Sequence, residues 1–293
     1  MPTPGFRVFF AAAAVSMLSA GCDIKVDEGR VSLGVSRGRA TDEWTRSYAA
    51  VAGGELDILN KNGAIEARGV SGTQITVKAE REVSDRSDDE ARKRLQALKM
   101  REDVTAGRVS IEAETGESGP FGMSRGVSIR YEVGLPPGLT VSFKTQNGQV
   151  RLENVQGRIT AASTNGQVQG EGIVGAVDAS TVNGSVQMDL AEVTGEVRLA
   201  TVNGAVRVQL APTANVDVDA QTVNGGVSVD ERLKLTGVPA SRPGPRNSLT
   251  GRLNEGGHRV SLQTTNGGIR VVLRGSDAAS EQGSERGPGR RRE

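Results

Sequence analysis

Six times in its second half the chain repeats nearly the same phrase around an Asn-Gly pair: KTQNGQVRL, ASTNGQVQG, STVNGSVQM, ATVNGAVRV, QTVNGGVSV and QTTNGGIRV. The asparagines are Asn147, Asn165, Asn183, Asn203, Asn224 and Asn266, separated by 18, 18, 20, 21 and 42 residues, the last interval being two periods of 21. A fixed period near 20 residues marks a repeat architecture, in which each unit buries its apolar face only against its neighbours. Function in such a chain resides more readily in a repeated surface than in one pocket.

Aligned on the asparagine, the side chains fall into columns. Six residues before it stand Val141, Ile159, Val177, Val197, Val218 and Val260; four before stand Phe143, Ala161, Ala179, Leu199, Ala220 and Leu262. Thr145, Ser163, Thr181, Thr201, Thr222 and Thr264 stand two before. Three after come Val150, Val168, Val186, Val206, Val227 and Ile269, and five after come Leu152, Gly170, Met188, Val208, Val229 and Val271. Alternate residues of a strand face the same way, so these columns form one inward face carried by two strands. The intervening residues are mostly Arg, Gln, Ser, Glu and Asp, as a solvated outer face requires.

Further turns are expected at 154–157, 172–175, 192–195 and 212–215, giving two short strands and two corners per period. Two architectures fit. Asn-Gly between alternating strands is also a hairpin signal, so an antiparallel meander is one of them. A meander would expose a wide apolar face, and the repeats contain no helix to cover it. A coil stacked rung on rung closes that face on itself, and the small, β-branched inward columns suit a narrow interior. The expected fold is therefore all-β, a repeat β-solenoid of two-strand rungs, about 30 Å long at a strand spacing of ~4.8 Å. The asparagines and hydroxyls are expected to stack as ladders beside the turn, with Asn tolerating a left-handed backbone and Gly taking positive φ.

The chain opens MPTPGFRVFFAAAAVSMLSAGC, one basic residue followed by an apolar run from Val8 to Ala20. That run is shorter than the ~20 residues a membrane-spanning helix needs and ends in small residues, so it reads as a secretory signal over 1–21. Leu18-Ser19-Ala20-Gly21-Cys22 resembles the bacterial lipobox, although Ser19 stands where a branched aliphatic is more usual. The resemblance implies a lipid on Cys22, the sole cysteine, and hence a membrane as partner. Residues 22–48 are polar and read as a tether, with Trp44 and Tyr48 docking on the first rung. Residues 275–293 hold almost nothing to bury and read as a disordered tail.

A degenerate repeat, LDILNKNGAIEARG, precedes the block, with Leu56, Ile58, Ile65 and Ala67 in the matching columns around Asn62. In the gap before Asn147, Thr73–Val83 alternates as a strand. Ser87-Asp88-Asp89-Glu90 forms a capping box that opens a short helix within a helical insertion at about 84–100. Ala91, Leu95 and Leu98 make its apolar stripe, and strands follow at Val109–Ala113 and Val127–Val133. The Pro- and Gly-rich segment Thr236–Ser248 reads as a surface loop. The solenoid domain is expected over 49–274.

The degenerate first Asn-Gly pair, the helix-bearing insertion, the VSIRYEVGLPPG entry strand and the T-x-N-G-x-V rungs together resemble the bacterial putative-adhesin family of β-strand-repeat proteins. That resemblance covers Glu55 to Leu273. It implies a β-solenoid of the cell envelope, with some members similar to proteins of envelope-stress operons, and it carries no established catalytic residue.

The residues themselves offer little for catalysis. His258 is the only histidine, no serine lies in a G-x-S-x-G elbow, and the glycines belong to turns rather than to a phosphate-cradling loop. With 36 basic and 35 acidic residues and 3% aromatics, no nucleic-acid face is expected. No cofactor is expected. Two outer columns stand as candidate surfaces. Glu153, Glu171, Asp189, Gln209 and Asp230 make an acidic column, open to a divalent cation, to the carboxylate chemistry of a polysaccharide-active β-helix, or simply to arginine neighbours. Val182, Val202 and Val223, just before their asparagines, make an apolar strip that suggests a partner. The reading is of a non-enzymatic envelope lipoprotein, an adhesin or binding scaffold whose rigid surface binds another envelope component, with the polysaccharide-active enzyme as its rival and an envelope-stress-related structural or sensing role as a variant.

Overall fold

The computed structural model describes residues 22–27, 30–35, 38–114, 126–237 and 247–275, with only the backbone course described before residue 38. The signal segment, the Cys22 side chain, the tail beyond 275 and most of the Thr236–Ser248 loop lie outside the described residues. The early strands are β1 (Cys22–Asp27), β2 (Arg30–Val35), β3 (Gly38–Ala49), β4 (Glu55–Asn62), β5 (Ile65–Gly69) and β6 (Gln74–Asp85). After helix α1 (Asp88–Ala97) come β7 (Lys99–Thr105), β8 (Arg108–Glu114) and β9 (Val127–Leu135). The repeats form β10 (Leu139–Asn147), β11 (Val150–Glu153), β12 (Gln156–Asn165), β13 (Val168–Asn183), β14 (Val186–Asn203), β15 (Val206–Leu210), β16 (Val216–Asn224) and β17 (Val227–Val229). The last are β18 (Leu235–Thr236), β19 (Ser248–Leu253), β20 (His258–Asn266) and β21 (Ile269–Leu273). No helix among the described residues is long and apolar enough to cross a membrane.

The Asn-Gly pairs are corners of a coil and not hairpins. The strand before each pair stacks in parallel on its counterparts, in the order β8, β4, β10, β12, second half of β13, second half of β14, β20, β16. The strand after each pair does the same, in the order β9, β5, β11, first half of β13, first half of β14, β15, β21, β17. Two parallel faces thus meet along an asparagine edge and enclose the inward columns. Val141, Ile159, Val177, Val197, Val218 and Val260 are all buried, as are the columns beginning at Phe143 and Thr145. Val227 and Val229, in the last rung, are only partly buried. Where Gly170 leaves a column empty, Met188 of the next rung fills the space, so that a Cβ at 170 would crowd its sulfur.

The rungs do not stack in sequence order. Val177 stacks on Val197 as the repeat predicts, but Val197 stacks on Val260, and Val260 on Val218. The 42-residue interval is therefore no hidden rung. The chain skips a place, lays down β16 and β17 at the end, caps β16 with antiparallel β19, and returns to insert β20 and β21. Ala211–Asn215 gives the five-residue connection needed to step over a place, whereas Asn154 and Val155 alone link β11 to β12. Other corners are not breaks at all: β13 and β14 run through 172–175 and 192–195 as continuous bent strands, with register shifts after Gly170.

The tether expectation fails over Gly38–Ala49. This segment is a strand paired with β6 through twelve residues, from Gly38↔Asp85 to Ala49↔Gln74, so the folded body starts before residue 49. It is an edge strand, where charged residues are retained against intermolecular pairing, and that masks its alternation. Trp44 and Tyr48 are partly buried against the core as part of this end cap. Arg81, opposite Asp42, donates to its carboxylate and to the Leu98 carbonyl, tying β3 and β6 to the end of the helix. The helix starts where the capping box places it, with the Ser87 hydroxyl accepting from Glu90 N at 3.3 Å and Ala91 and Leu95 buried.

Candidate functional site

The edge where the two faces meet is an unbroken amide ladder. Each asparagine Nδ2 donates to the Oδ1 of the neighbouring rung: Asn147 to Asn62, Asn165 to Asn147, Asn183 to Asn165, Asn203 to Asn183, Asn266 to Asn203 and Asn224 to Asn266, all at 2.8–2.9 Å. Asn62 ends the ladder by donating to the Val127 carbonyl. Beside it each hydroxyl donates to the glycine carbonyl of the adjacent turn, as Thr181 does to Gly166 at 2.7 Å and Thr201 to Gly184 at 2.9 Å. A third row joins the turn glycine N–H to the next asparagine carbonyl in every turn but that of Gly225, from Gly63 with Asn147 to Gly267 with Asn224. Both ladders were legible in the sequence, but their backbone reason was not. Among the described residues the only non-glycines with positive φ are Asn154 and Asn254, so the turn asparagines are not left-handed. The glycine is needed because a Cβ at 148, 166, 184, 204, 225 or 267 would overlap the glycine carbonyl of the adjoining turn.

Next to this spine, on the outer side of the first face, lies the apolar strip expected from Val182, Val202 and Val223. All three are exposed, by 41%, 42% and 68%. Val182 and Val202 are neighbours, but the inserted rung places Thr265 between Val202 and Val223. The strip is thus a Val-Val-Thr-Val row and not a pure valine row. It borders an open groove of about 550 Å³, where Ser180 and Ala200 present short side chains and Gln221 and Gln263 supply amides. The contribution of Thr265, Gln221 and Gln263 was missed because their place in the stack depends on the skipped rung.

The acidic column is only partly assembled. Glu153 stands between Arg68 and Glu171 in register, and Asp189 stands beside Gln209. Gln209 then pairs with Val272, which separates Asp230 from the column. Arginines neutralise it: Arg68 and Arg151 hold Glu153 at 3.0 and 2.8 Å, Arg151 reaches Glu171 at 3.5 Å, and Arg274 holds Asp189 at 2.8 Å. Asp189 also accepts from the Gly172 N–H at 3.1 Å, pinning the bulged corner. Asp230 has its own partner, since hydrogen bonds from the Arg232 guanidinium and backbone hold its carboxyl down to about 2. Among the described residues no three His, Cys, Asp or Glu side chains converge as a metal site. His258 is exposed at the start of β20.

A stacked parallel coil with an asparagine spine, one helix-bearing cap and an open groove defines a β-solenoid-like repeat protein. A family profile described as Toastrack DUF4097 matches residues 23–272, and the chain belongs to that family. This is the putative-adhesin group that the repeat signature resembles. Among solved structures, one described as a "putative cell adhesion protein" from Clostridium sporogenes ATCC 15579 is 12% identical, with a TM-score of 0.49, covering 80% of this chain and 100% of that one. A "putative adhesin" from Bacteroides fragilis NCTC 9343 is 9% identical, with a TM-score of 0.26 and coverage of 79% and 97%. A "putative lipid binding protein" from Parabacteroides distasonis ATCC 8503 is 8% identical, with a TM-score of 0.26 and coverage of 79% and 96%. No curated protein matches the chain.

Proposed function

We propose that this chain is a non-enzymatic binding scaffold of the bacterial cell envelope, held on the outward face of a membrane by a lipid on Cys22. Its working surface is the groove beside Val182, Val202 and Val223, and its partner is another envelope component. The observation that carries this reading is the coincidence of the groove with that strip, on a face stiffened by the amide, hydroxyl and backbone ladders. A surface that changes little on binding loses little entropy when it docks. The acidic column favours the same reading over the enzyme, because its carboxylates are engaged by arginines instead of standing as a free acid–base pair.

The test is a photo-crosslinking residue placed at Val202 or, as a control on the second face, at Gln187, in cells carrying the native protein. A specific adduct from 202 and none from 187 is expected. An adduct from 187 alone refutes the face, and none from either refutes the scaffold. Intact mass of the native protein reads the anchor separately: a mature chain beginning at Cys22 without lipid removes that part of the proposal.

A further inference from the structure

The seven Asn-Gly pairs are chemically alike, and the ladder treats one of them differently. Asn-Gly is the sequence most prone to deamidate, because the unhindered glycine nitrogen attacks the asparagine side-chain carbonyl. At Asn62, Asn147, Asn165, Asn183, Asn203 and Asn266 that nitrogen is occupied. Its N–H donates to the asparagine carbonyl of the next rung at 2.8–3.0 Å, as Gly184 does to Asn203 and Gly204 to Asn266. Each of these six side-chain oxygens also accepts an Nδ2–H from the adjoining asparagine, so the amide is held from both sides.

Asn224 is the last of the stack. Its Nδ2 donates to Asn266 Oδ1 and its backbone carbonyl accepts from Gly267, but among the described residues no rung lies beyond it. Antiparallel β19 covers β16 only as far as Gln221↔Ser248, with one further bond from Thr222 N to the Asn247 carbonyl. Among the described residues, Gly225 N–H and Asn224 Oδ1 therefore have no partner. Gly225 is exposed, whereas the other six turn glycines are half-buried.

We propose that Asn224 is a spontaneous modification site, deamidating ahead of the other six Asn-Gly pairs. The Gly225 nitrogen bonds to Asn224 Cγ, ammonia leaves, and a succinimide ring forms; one water opens it to aspartate or isoaspartate. No oxidant or reductant takes part. The product faces Asn266 Oδ1 with a carboxylate where an N–H had donated, so oxygen meets oxygen and the terminal rung loosens. An isoaspartyl link also lengthens the main chain by one carbon at the corner between β16 and β17, which shifts β17 against β21 while β16 stays on β20. Val223 sits one residue away, so the change acts at one end of the groove.

Purified protein incubated at mildly alkaline pH, then digested and mapped by mass spectrometry, tests the site. Oxygen-18 water marks the newly incorporated atom. Asn224 is expected to react at least about tenfold faster than Asn183 or Asn203, the ratio set by ~1.4 kcal/mol of extra local opening in the interior rungs. In urea all six repeats of the block should react at similar rates, which assigns the protection to the fold. Equal rates in the folded protein, or reaction first at an interior asparagine, overturn the proposal. Asn224→Asp should raise amide exchange in 216–229 and leave 177–190 unchanged; unaltered exchange in 216–229 overturns the structural consequence.

Discussion

Gly204→Ala asks why each turn carries glycine. A Cβ on Gly204 would lie 1.9 Å from the Gly184 carbonyl oxygen, inside the 3.0 Å that real Cβ atoms keep, so the rungs must separate by about 1.1 Å there. That displacement stretches Gly184 N–Asn203 O, Val186 N–Ala205 O and the Thr201 hydroxyl bond to Gly184, now at 2.9–3.0 Å, beyond hydrogen-bonding distance. Three bonds at about 1 kcal/mol each, with about 1–3 kcal/mol of overpacking, give a cost of about 4–6 kcal/mol. This is a large part of an ordinary domain's ~5–15 kcal/mol. Two controls separate the alternatives. Gly53 has φ +71° and nothing within 4 Å, so Gly53→Ala meets only the left-handed penalty of about 1–2 kcal/mol. Gly226 has neither constraint, and Gly226→Ala should stay within about 0.5 kcal/mol. Urea unfolding followed by circular dichroism orders the three variants, and hydrogen exchange over 183–206 reads the local effect if the repeat array loses cooperativity. A Gly204→Ala cost no greater than that of Gly53→Ala would refute close approach as the reason for the glycine.

Asn203→Ala removes one ladder bond on each side and Asn224→Ala removes one in all, so the first should cost about 1–2 kcal/mol and the second about half that, measured by the same unfolding curves. Equal costs would show that the ladder amides do not act in series. Tyr131 is fully buried and its hydroxyl has no partner among the described residues, while burial raises its pKa. Tyr131→Phe should therefore be neutral or stabilising by up to about 1 kcal/mol, and a loss of more than that would reveal a hidden partner. Because arginines already neutralise Glu153, Glu171 and Asp189, melting temperatures in calcium and in chelator should coincide. A calcium-dependent rise abolished by Glu153→Gln, Glu171→Gln and Asp189→Asn together would restore the cation reading.

The inward columns were legible because stacking obliges every rung to repeat the same side-chain choice; a period of 20 then exposes the core directly. The helix was legible for a local reason, since Ser87 and Glu90 carry its start signal within four residues. What escaped depends on relations between distant segments. That Val260 lies between Val197 and Val218 cannot be read from columns that are nearly interchangeable. The groove suffers the same loss, because Thr265 enters the valine row only through that insertion. β3 escaped because an edge strand is selected partly for what it must avoid, and its charges hide the alternation around Ala40 and Trp44. The corner residues Val155, Ile173, Leu190 and Leu210 are buried too, yet they fall where the period varies from 18 to 21 and align poorly.

The out-of-order rung at one end has a counterpart at the other, and together they answer a problem common to solenoids. A stack needs its ends covered, and its chain termini are where it frays. Here β4 and β5 form the first rung after edge strand β3, and the chain then moves outward to build β6, α1, β7 and the outer rung of β8 and β9. It returns to place β10 on the opposite side of β4. At the far end β16 and β17 are laid outermost, β19 covers β16, and the chain returns to finish in β20 and β21. The first and last rungs in sequence are thus each held between two parallel neighbours, and each outermost rung is tied into the chain on both sides. The device carries an ambiguity, because β16 repeats the Thr-Val-Asn-Gly of β14 and could pair with it directly. Side-chain size favours the native order: Leu199 meets Leu262 across the buried column, where Ala220 would leave it less well packed. The preference lies in the core of the strands whose outer sides form the groove, so packing inside the coil fixes the Val-Val-Thr-Val order outside it.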